Sequence, residues 1–230
     1  VIISLVGPED DLSIQVHPDD EHAQKIGYKR GKNEAWFFIE SDPGASIVYG
    51  QKTKNKEELQ EMINQDKWDD IYKKYPVADG DFVYLPAGCL HAMGKGNVVY
   101  EIQQSTDVTY RFYDYHRKDK DGNERELHLK QAIDCLSFDK DIDKNDVHPV
   151  VKVHENMKET IFISNDSFTV SQLLVIGKCQ YKCDNYQLAT VVKGSGKVDE
   201  YDVKVGDNFL IPTNTSIELD GQMMIMMTTK

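Results

Sequence analysis

Two histidines, one glutamate and one glutamine are the residues of this chain whose types and spacing favour joint chemistry. Gln15 and His17 are two positions apart in a predicted strand, so their side chains point to the same face. Glu34 opens another predicted strand, and His91 follows a tight turn. Imidazole and carboxylate groups are ordinary ligands of zinc and of non-haem iron, whereas an amide oxygen is a less usual one. Folded together, the four residues would form a metal site.

The elements that must position these residues are predicted to be mostly strands. Short runs rich in Val, Ile, Tyr and Phe are separated by Gly, Pro, Asp or Asn, which is typical of strands joined by turns. Many short strands at this spacing favour a β-sandwich or β-barrel architecture. The predicted strands are residues 12–17, 35–39, 45–49, 82–85, 98–103, 109–113, 169–176, 188–192, 207–211 and 222–228.

Two segments have a different pattern. Residues 54–75 carry apolar side chains at helical offsets with charges between them, which predicts a helical hairpin inserted between strands. Residues 127–135 are a second helix candidate. Alternating Lys and Asp over 139–146 predict a solvated linker and a domain boundary. The predicted domains are therefore 1–140, with the helical insert at about 54–75, and 147–230.

An internal repeat relates the two predicted domains. Residues 80–86 and 206–212 both read as a Gly-Asp turn, a strand and a proline. Five positions after the proline, the first copy has His91 and the second has Ile217. If both copies share one fold, the first domain can bind a metal at this position and the second cannot.

Composition excludes several classes of partner. The 230 residues include 27 Lys and Arg against 39 Asp and Glu, a formal net charge of −12. This balance argues against nucleic acid and anionic membranes as partners, because both favour positive surfaces. No apolar run reaches the roughly 18 residues of a membrane helix, and the opening VIISLVG lacks the features of a signal peptide. Four scattered cysteines predict reduced thiols in a cytoplasmic protein.

Four segments, in this order, resemble the sequence signature of type I mannose-6-phosphate isomerases, which are zinc enzymes of the cupin superfamily. They are residues 12–20 (LSIQVHPDD), 31–36 (GKNEAW), 86–92 (PAGCLHA) and 101–111 (EIQQSTDVTYR). The rest of the chain resembles the short bacterial form, which ends in a second, metal-free cupin. The resemblance implies a mostly β protein with two jelly-roll cupin domains and a small helical insertion. It also implies an N-terminal segment before the first block; the sequence, which begins at Val1, is expected to lack it.

The resemblance also implies a role for individual residues. It identifies one Zn²⁺ per chain as the cofactor, with Gln15, His17, Glu34 and His91 as its ligands. It implies catalytic roles for Arg111, Lys32 and Glu101. Ser13, Lys32 and Arg111 are the residues expected to bind substrate.

The implied reaction interconverts mannose 6-phosphate and fructose 6-phosphate through an enediol. Such a reaction needs a fixed positive charge for the developing oxyanion and a group that moves a proton between two carbons. Arg111 has a permanent charge for the first task. Lys32, Glu101 and a metal-bound water all remain candidates for the second.

Two other functions remain open at this stage. One is a non-catalytic sugar-binding cupin. The other is an iron-dependent cupin oxygenase that uses His17, Glu34 and His91, although a fourth ligand at Gln15 argues against it. The expected partner is a small sugar phosphate, and the expected assembly is a monomer or a weak dimer.

Overall fold

The computed structural model describes residues 1–138 and 147–230. The predicted linker at 139–146 lies outside the described residues. The chain divides into two compact units, residues 1–146 and 147–230, and each unit is described by itself.

The first unit alternates strands with short helices. Its elements are β1 (Ile2–Val6), β2 (Ile14–Val16), α1 (Asp20–Lys25), β3 (Glu34–Ser41), β4 (Ser46–Gln51), α2 (Lys56–Asn64), α3 (Trp68–Ile71), β5 (Tyr72–Pro76), β6 (Phe82–Leu85), β7 (His91–Met93), β8 (Asn97–Gln103), β9 (Tyr110–Tyr113) and α4 (Leu129–Cys135).

Two antiparallel sheets enclose one core of this unit. One sheet has the strand order β1-β8-β3-β6, and the other has the order β5-β4-β7-β2-β9. Trp36 and Phe38 of β3 share an apolar cluster with Ile47 and Tyr49 of β4, so the inner faces of the two sheets pack together. The prediction of a mostly β architecture is confirmed.

The outer face of the five-stranded sheet is covered by helices. Ile14 and Val16 of β2 lie in a second apolar cluster with Leu59 of α2, Trp68 of α3 and Ala132 of α4. Because side chains alternate along a strand, the residue between Ile14 and Val16 faces the opposite side, toward the inner core. The helical insertion therefore fixes which face of β2 is available for chemistry.

The predicted helical hairpin at 54–75 is correct for α2 and α3 and wrong for its last residues. Tyr72–Pro76 form β5, which pairs with β4 through Ile47 and Tyr75. Proline disfavours helical backbone at the residue before it, Tyr75, and pairing with β4 keeps the rest of the segment extended. The second helix candidate is α4, which begins at Leu129 rather than at residue 127. No helix of the described ranges is long and apolar enough to cross a membrane.

The second unit is a single eight-stranded sheet around an apolar core. Strands β12 and β17 are central, and Leu173, Val191, Ile217 and Ile225 are among the buried residues of its core cluster. The strands are β10 (Val150–His154), β11 (Met157–Ser164), β12 (Thr169–Ile176), β13 (Cys179–Cys183), β14 (Gln187–Val198), β15 (Tyr201–Lys204), β16 (Asn208–Ile211) and β17 (Thr215–Thr229). The sequence patterns did not identify β10, β11, β13 or β15.

The sequence repeat is also a structural repeat. Gly80 and Gly206 both have positive φ, at 84° and 93°, and lead into β6 and β16. The Gly80 N–H donates to Phe38 O at 2.8 Å, and the Gly206 N–H donates to Val191 O at 2.9 Å. Strands β3 and β14 both shift register directly after Phe38 and Val191. The two units thus place equivalent residues at equivalent positions.

The structural repeat shows which residues of the second unit correspond to two predicted metal ligands of the first unit, Glu34 and His91. Glu34 pairs with Leu85, and at the equivalent point of the second unit Gln187 pairs with Ile211. The counterpart of His91 is Ile217, which lies in the apolar core. An amide and an alkyl group replace a carboxylate and an imidazole, so the shared scaffold carries different chemistry in each unit.

A buried carboxylate anchors the loop between β9 and α4. The side chain of Asp114 is 4% exposed and accepts hydrogen bonds from Arg117 and Arg125. Arg125 binds through two nitrogens, one of them Nε at 2.7 Å from Oδ2. Burial opposes ionisation of Asp114, but the two guanidinium groups outweigh it and lower the pKa of the carboxyl.

We expect Asp114→Asn to lower the free energy of unfolding by about 2 kcal/mol at pH 7, the scale of charge-assisted hydrogen bonds. The folded-state pKa lies below the unfolded value, so the stabilisation is present above about pH 4 and is lost as the pH falls through the folded pKa. Urea denaturation from pH 7 to pH 3 measures this. Asp121→Asn, at an exposed site in the same loop, is the matched control. A wild-type–variant difference that does not shrink in acid would contradict the assignment.

Candidate metal centre

Three buried side chains converge in the first unit. His17, Glu34 and His91 are each 1% exposed, and their candidate ligand atoms all lie within 4.8 Å of one another. His17 Nε2 is 3.2 Å from Glu34 Oε1, and His91 Nε2 is 3.4 Å from Glu34 Oε2. The three residues come from the end of β2, the start of β3 and the start of β7. The two sheets therefore bring together residues that are far apart in the sequence.

Backbone carbonyls fix the orientation of both imidazoles. His17 Nδ1 lies 2.8 Å from Val108 O, and His91 Nδ1 lies 2.9 Å from Cys89 O. A carbonyl oxygen only accepts hydrogen bonds, so each Nδ1 is the protonated nitrogen. Nε2 of each ring faces Glu34, and in the neutral form of the ring this nitrogen carries the lone pair. A backbone carbonyl on the distal nitrogen is the usual arrangement for a histidine that binds a metal.

The cluster fits a divalent cation. His17 Nε2 and Glu34 Oε2 are buried and have no hydrogen-bond partner among the described residues. Burial lowers the pKa of His17 and keeps its ring neutral. Lone pairs that face one another in a buried site are electrostatically costly without a cation to share them.

Gln15 and Lys32 border this cluster. The Gln15 amide nitrogen is 3.3 Å from His91 Nε2, and a half-turn of the amide would exchange its nitrogen for its oxygen. Lys32 Nζ lies 2.9 Å from Glu34 Oε1, and the lysine is 9% exposed. The sequence-predicted ligands and one of the predicted catalytic residues thus lie together.

A close backbone contact positions Lys32. Its N–H donates to Pro18 O at 3.0 Å, which attaches the loop before β3 to the residue that follows His17. Gly31 is needed at this point, because a Cβ there would lie 2.4 Å from Pro18 O. The glycine allows the two ligand-bearing segments to approach each other.

Glu101 is held by two donors. Trp36 Nε1 donates to Oε1 at 3.0 Å, and Gln103 Nε2 donates to Oε2 at 3.1 Å. Burial and the nearby charge of Glu34 raise the pKa of Glu101. A buried carboxyl group with a raised pKa is suited to exchange a proton near neutral pH.

Arg111 is the neighbour of Gln15 across the β2–β9 pair. Its Nη1 donates to Glu126 O at 2.9 Å, and its backbone N–H donates to His128 Nδ1 at 3.1 Å. The Nε atom is buried and has no hydrogen-bond partner within the described ranges. A guanidinium held by one carbonyl keeps its remaining donors for a ligand.

Sequence reasoning did not assign a role to several of these contacts. Ser13, predicted to bind substrate, precedes β2 and is partly exposed. The bond between Trp36 and Glu101 joins residues of two strands and has no signal in the sequence. The carbonyl groups of Val108, Cys89 and Glu126 have no signal in a sequence, because every residue has a carbonyl.

Comparison with known proteins identifies close relatives. The family model described as "Mannose-6-phosphate isomerase, cupin domain" matches residues 158–230. The mannose-6-phosphate isomerase of Streptococcus mutans serotype c is 37% identical over 232 aligned positions, which cover 98% of this chain and 72% of the relative. The Bacillus subtilis mannose-6-phosphate isomerase ManA is 36% identical, with 92% and 69% covered.

Solved structures give the same result for the fold. The crystal structure of the mannose 6-phosphate isomerase from Bacillus subtilis matches with a TM-score of 0.92 and 31% identity, over 99% of this chain and 74% of that one. A variant of the phosphomannose isomerase from Salmonella typhimurium has a TM-score of 0.75 at 14% identity, which shows the fold alone. The matches confirm the predicted cupin architecture.

We expect the purified chain to bind one divalent metal ion, and Glu34→Gln to weaken that binding by on the order of 100-fold or more, because the only carboxylate of the ligand set is lost. Calorimetric titration of chelator-treated protein measures the change. His116→Ala is the matched control, because His116 also lies near two carboxylates, Asp66 and Glu124, but is exposed. Equal affinity of the wild type and the Glu34 variant would contradict the assignment.

Proposed function

The chain belongs to the mannose-6-phosphate isomerase family, and from this membership we propose how its buried residues interconvert mannose 6-phosphate and fructose 6-phosphate. The observation that carries the proposal is the buried cluster of His17, Glu34 and His91, with the ammonium group of Lys32 against it. Four free thiols are consistent with the proposed cytoplasmic location.

We propose that Gln15, His17, Glu34 and His91 hold one Zn²⁺ per chain. The single carboxylate and three neutral ligands leave a net charge of about +1 on the site. When bound, the ion supplies a Lewis acid that polarises a sugar oxygen. The amide of Gln15 favours zinc over iron, because iron oxygenases that use two histidines and one carboxylate need open positions.

Arg111 and Lys32 are the proposed anion-binding groups. The ammonium group of Lys32 lies against Glu34, and Arg111 is the neighbour of Gln15 across the β2–β9 pair. The Nε atom of Arg111 has no hydrogen-bond partner among the described residues. A fixed cation stabilises the negative charge that develops on oxygen as the enediol forms. The phosphate of the substrate needs the same kind of partner, and Ser13 is a further proposed contact for it.

Glu101 is the proposed proton carrier between C1 and C2 of the sugar. Its two oxygens accept hydrogen bonds, which keep the carboxylate in one orientation. Its raised pKa brings the acid and base forms closer in population at neutral pH. Lys32 is the weaker candidate for this role, because its ammonium group already donates to Glu34.

We expect the chain to convert mannose 6-phosphate to fructose 6-phosphate in a coupled assay, and chelator to remove the activity. Arg111→Ala and Arg111→Lys should both lower kcat/KM by on the order of 100-fold or more, because lysine cannot reproduce the geometry of the guanidinium group. Arg30→Ala is the matched control, since Arg30 is an exposed arginine in the loop that precedes Lys32.

The outcomes separate the alternatives. Metal-dependent turnover that is lost in the Arg111 variants and kept in the Arg30 variant supports the proposal. Protein that contains stoichiometric zinc but has no turnover would favour a sugar-binding role. Turnover that persists in Arg111→Ala would remove this arginine from the mechanism.

A further inference from the structure

We propose that Trp36 is a positioning residue that orients Glu101 for proton transfer. The inference rests on the proposed role of Glu101. Trp36 and Glu101 are direct neighbours across the β3–β8 pair, and the indole Nε1 donates to Glu101 Oε1 at 3.0 Å. The tryptophan is 2% exposed, so its N–H has little access to water.

Trp36 provides one of two hydrogen bonds to a partly buried carboxylate. Gln103 donates to the other oxygen, Oε2, at 3.1 Å. With one donor on each oxygen, the plane of the carboxylate is fixed rather than free to rotate about its terminal bond. Catalytic groups need this support, because small errors in orientation cost large factors in rate.

Without the indole donor, the observed orientation of the Glu101 side chain would be less stable. Its side chain is only partly exposed, and burial opposes its charge. A buried carboxylate that loses a donor must find another partner or move toward water. The indole N–H therefore stabilises Glu101 in this orientation.

The ring of Trp36 has a second contact that is separable from the first. Its edge meets the ring of His91 with centroids 5.7 Å apart and an interplanar angle of 76°. Phenylalanine in its place would keep an aromatic ring near His91 but remove the N–H that binds Glu101. The Trp36→Phe variant thus tests the hydrogen bond and spares most of the metal site.

The chain contains a matched control. It has two tryptophans, and the other, Trp68, also donates Nε1 to a carboxylate, Asp66 Oδ1, at 2.6 Å. Trp68 is 8% exposed and stacks on Tyr113 at a centroid distance of 4.3 Å. Trp68→Phe makes the same chemical change among residues that are not part of the proposed site.

The experiment measures steady-state kinetics and zinc content for wild type, Trp36→Phe, Trp68→Phe, Glu101→Gln and the Trp36→Phe/Glu101→Gln double variant. We expect Trp36→Phe to lower kcat by about 10- to 100-fold with KM changed less than about threefold, the scale of lost outer-shell support. Trp68→Phe should keep kcat, and every variant should bind one zinc per chain. The kcat of the double variant should be no lower than that of Glu101→Gln alone, because both substitutions disable the same function, proton transfer by Glu101.

Three results would overturn the inference: wild-type kcat in Trp36→Phe, multiplicative losses in the double variant, or an equal loss in Trp68→Phe. An inactive wild type would instead refute the proposed function itself. If Trp36→Phe does not fold, the fluorescence emission of Trp36 tests the hydrogen bond to Glu101 instead. In Trp68→Phe, Trp36 is the sole tryptophan, so the addition of Glu101→Gln should shift its emission maximum. An unchanged spectrum would show that the indole does not sense Glu101, and would also refute the inference.

Discussion

Glu34 is a carboxylate buried among two imidazoles and one ammonium group, and a charge in that position raises the free energy of the fold unless its oxygens find partners. Both imidazole rings direct lone pairs at it, because backbone carbonyls take the protons on their other nitrogens. A site of this kind is stable when a cation neutralises it. The side chains that surround this one carboxylate come from β7, from the residue after β2 and from the loop that carries Lys32, so Glu34 links these segments to β3.

The five-stranded sheet has one apolar face, which packs against helices, and one face that carries the polar residues of the site. One face of β2 contributes Ile14 and Val16 to the apolar cluster beneath the helices. The intervening Gln15 faces the other way, between His91 and Arg111 on the neighbouring strands. Burial of the apolar face against helices provides stability, and the rigid sheet then holds the polar residues at fixed spacing.

The second unit shows that the same strand arrangement also forms without the residues of the buried cluster. It repeats the glycine turn, the following strand and the register shift of the first unit, yet Gln187 and Ile217 occupy the positions of Glu34 and His91. Its centre is filled by apolar side chains. The fold tolerates either content because the strands depend on backbone pairing and alternation, which are independent of the residues at the centre.

The sequence, through its strand patterns and its resemblance to a known family, predicted the fold class and the three residues of the buried cluster, His17, Glu34 and His91. Alternation along a strand placed Gln15 and His17 on one face, and the repeat aligned His91 with Ile217, because both signals are local and periodic. The predicted helical insert extends too far, because the pairing of Tyr72–Pro76 with β4 is a tertiary contact that helical spacing does not encode. Only the tertiary structure decided which nitrogens of the histidines face Glu34, that Trp36 holds Glu101, and that Glu126 holds Arg111. These contacts join residues far apart in the chain, several through carbonyl groups common to all residues, so no spacing in the sequence encodes them.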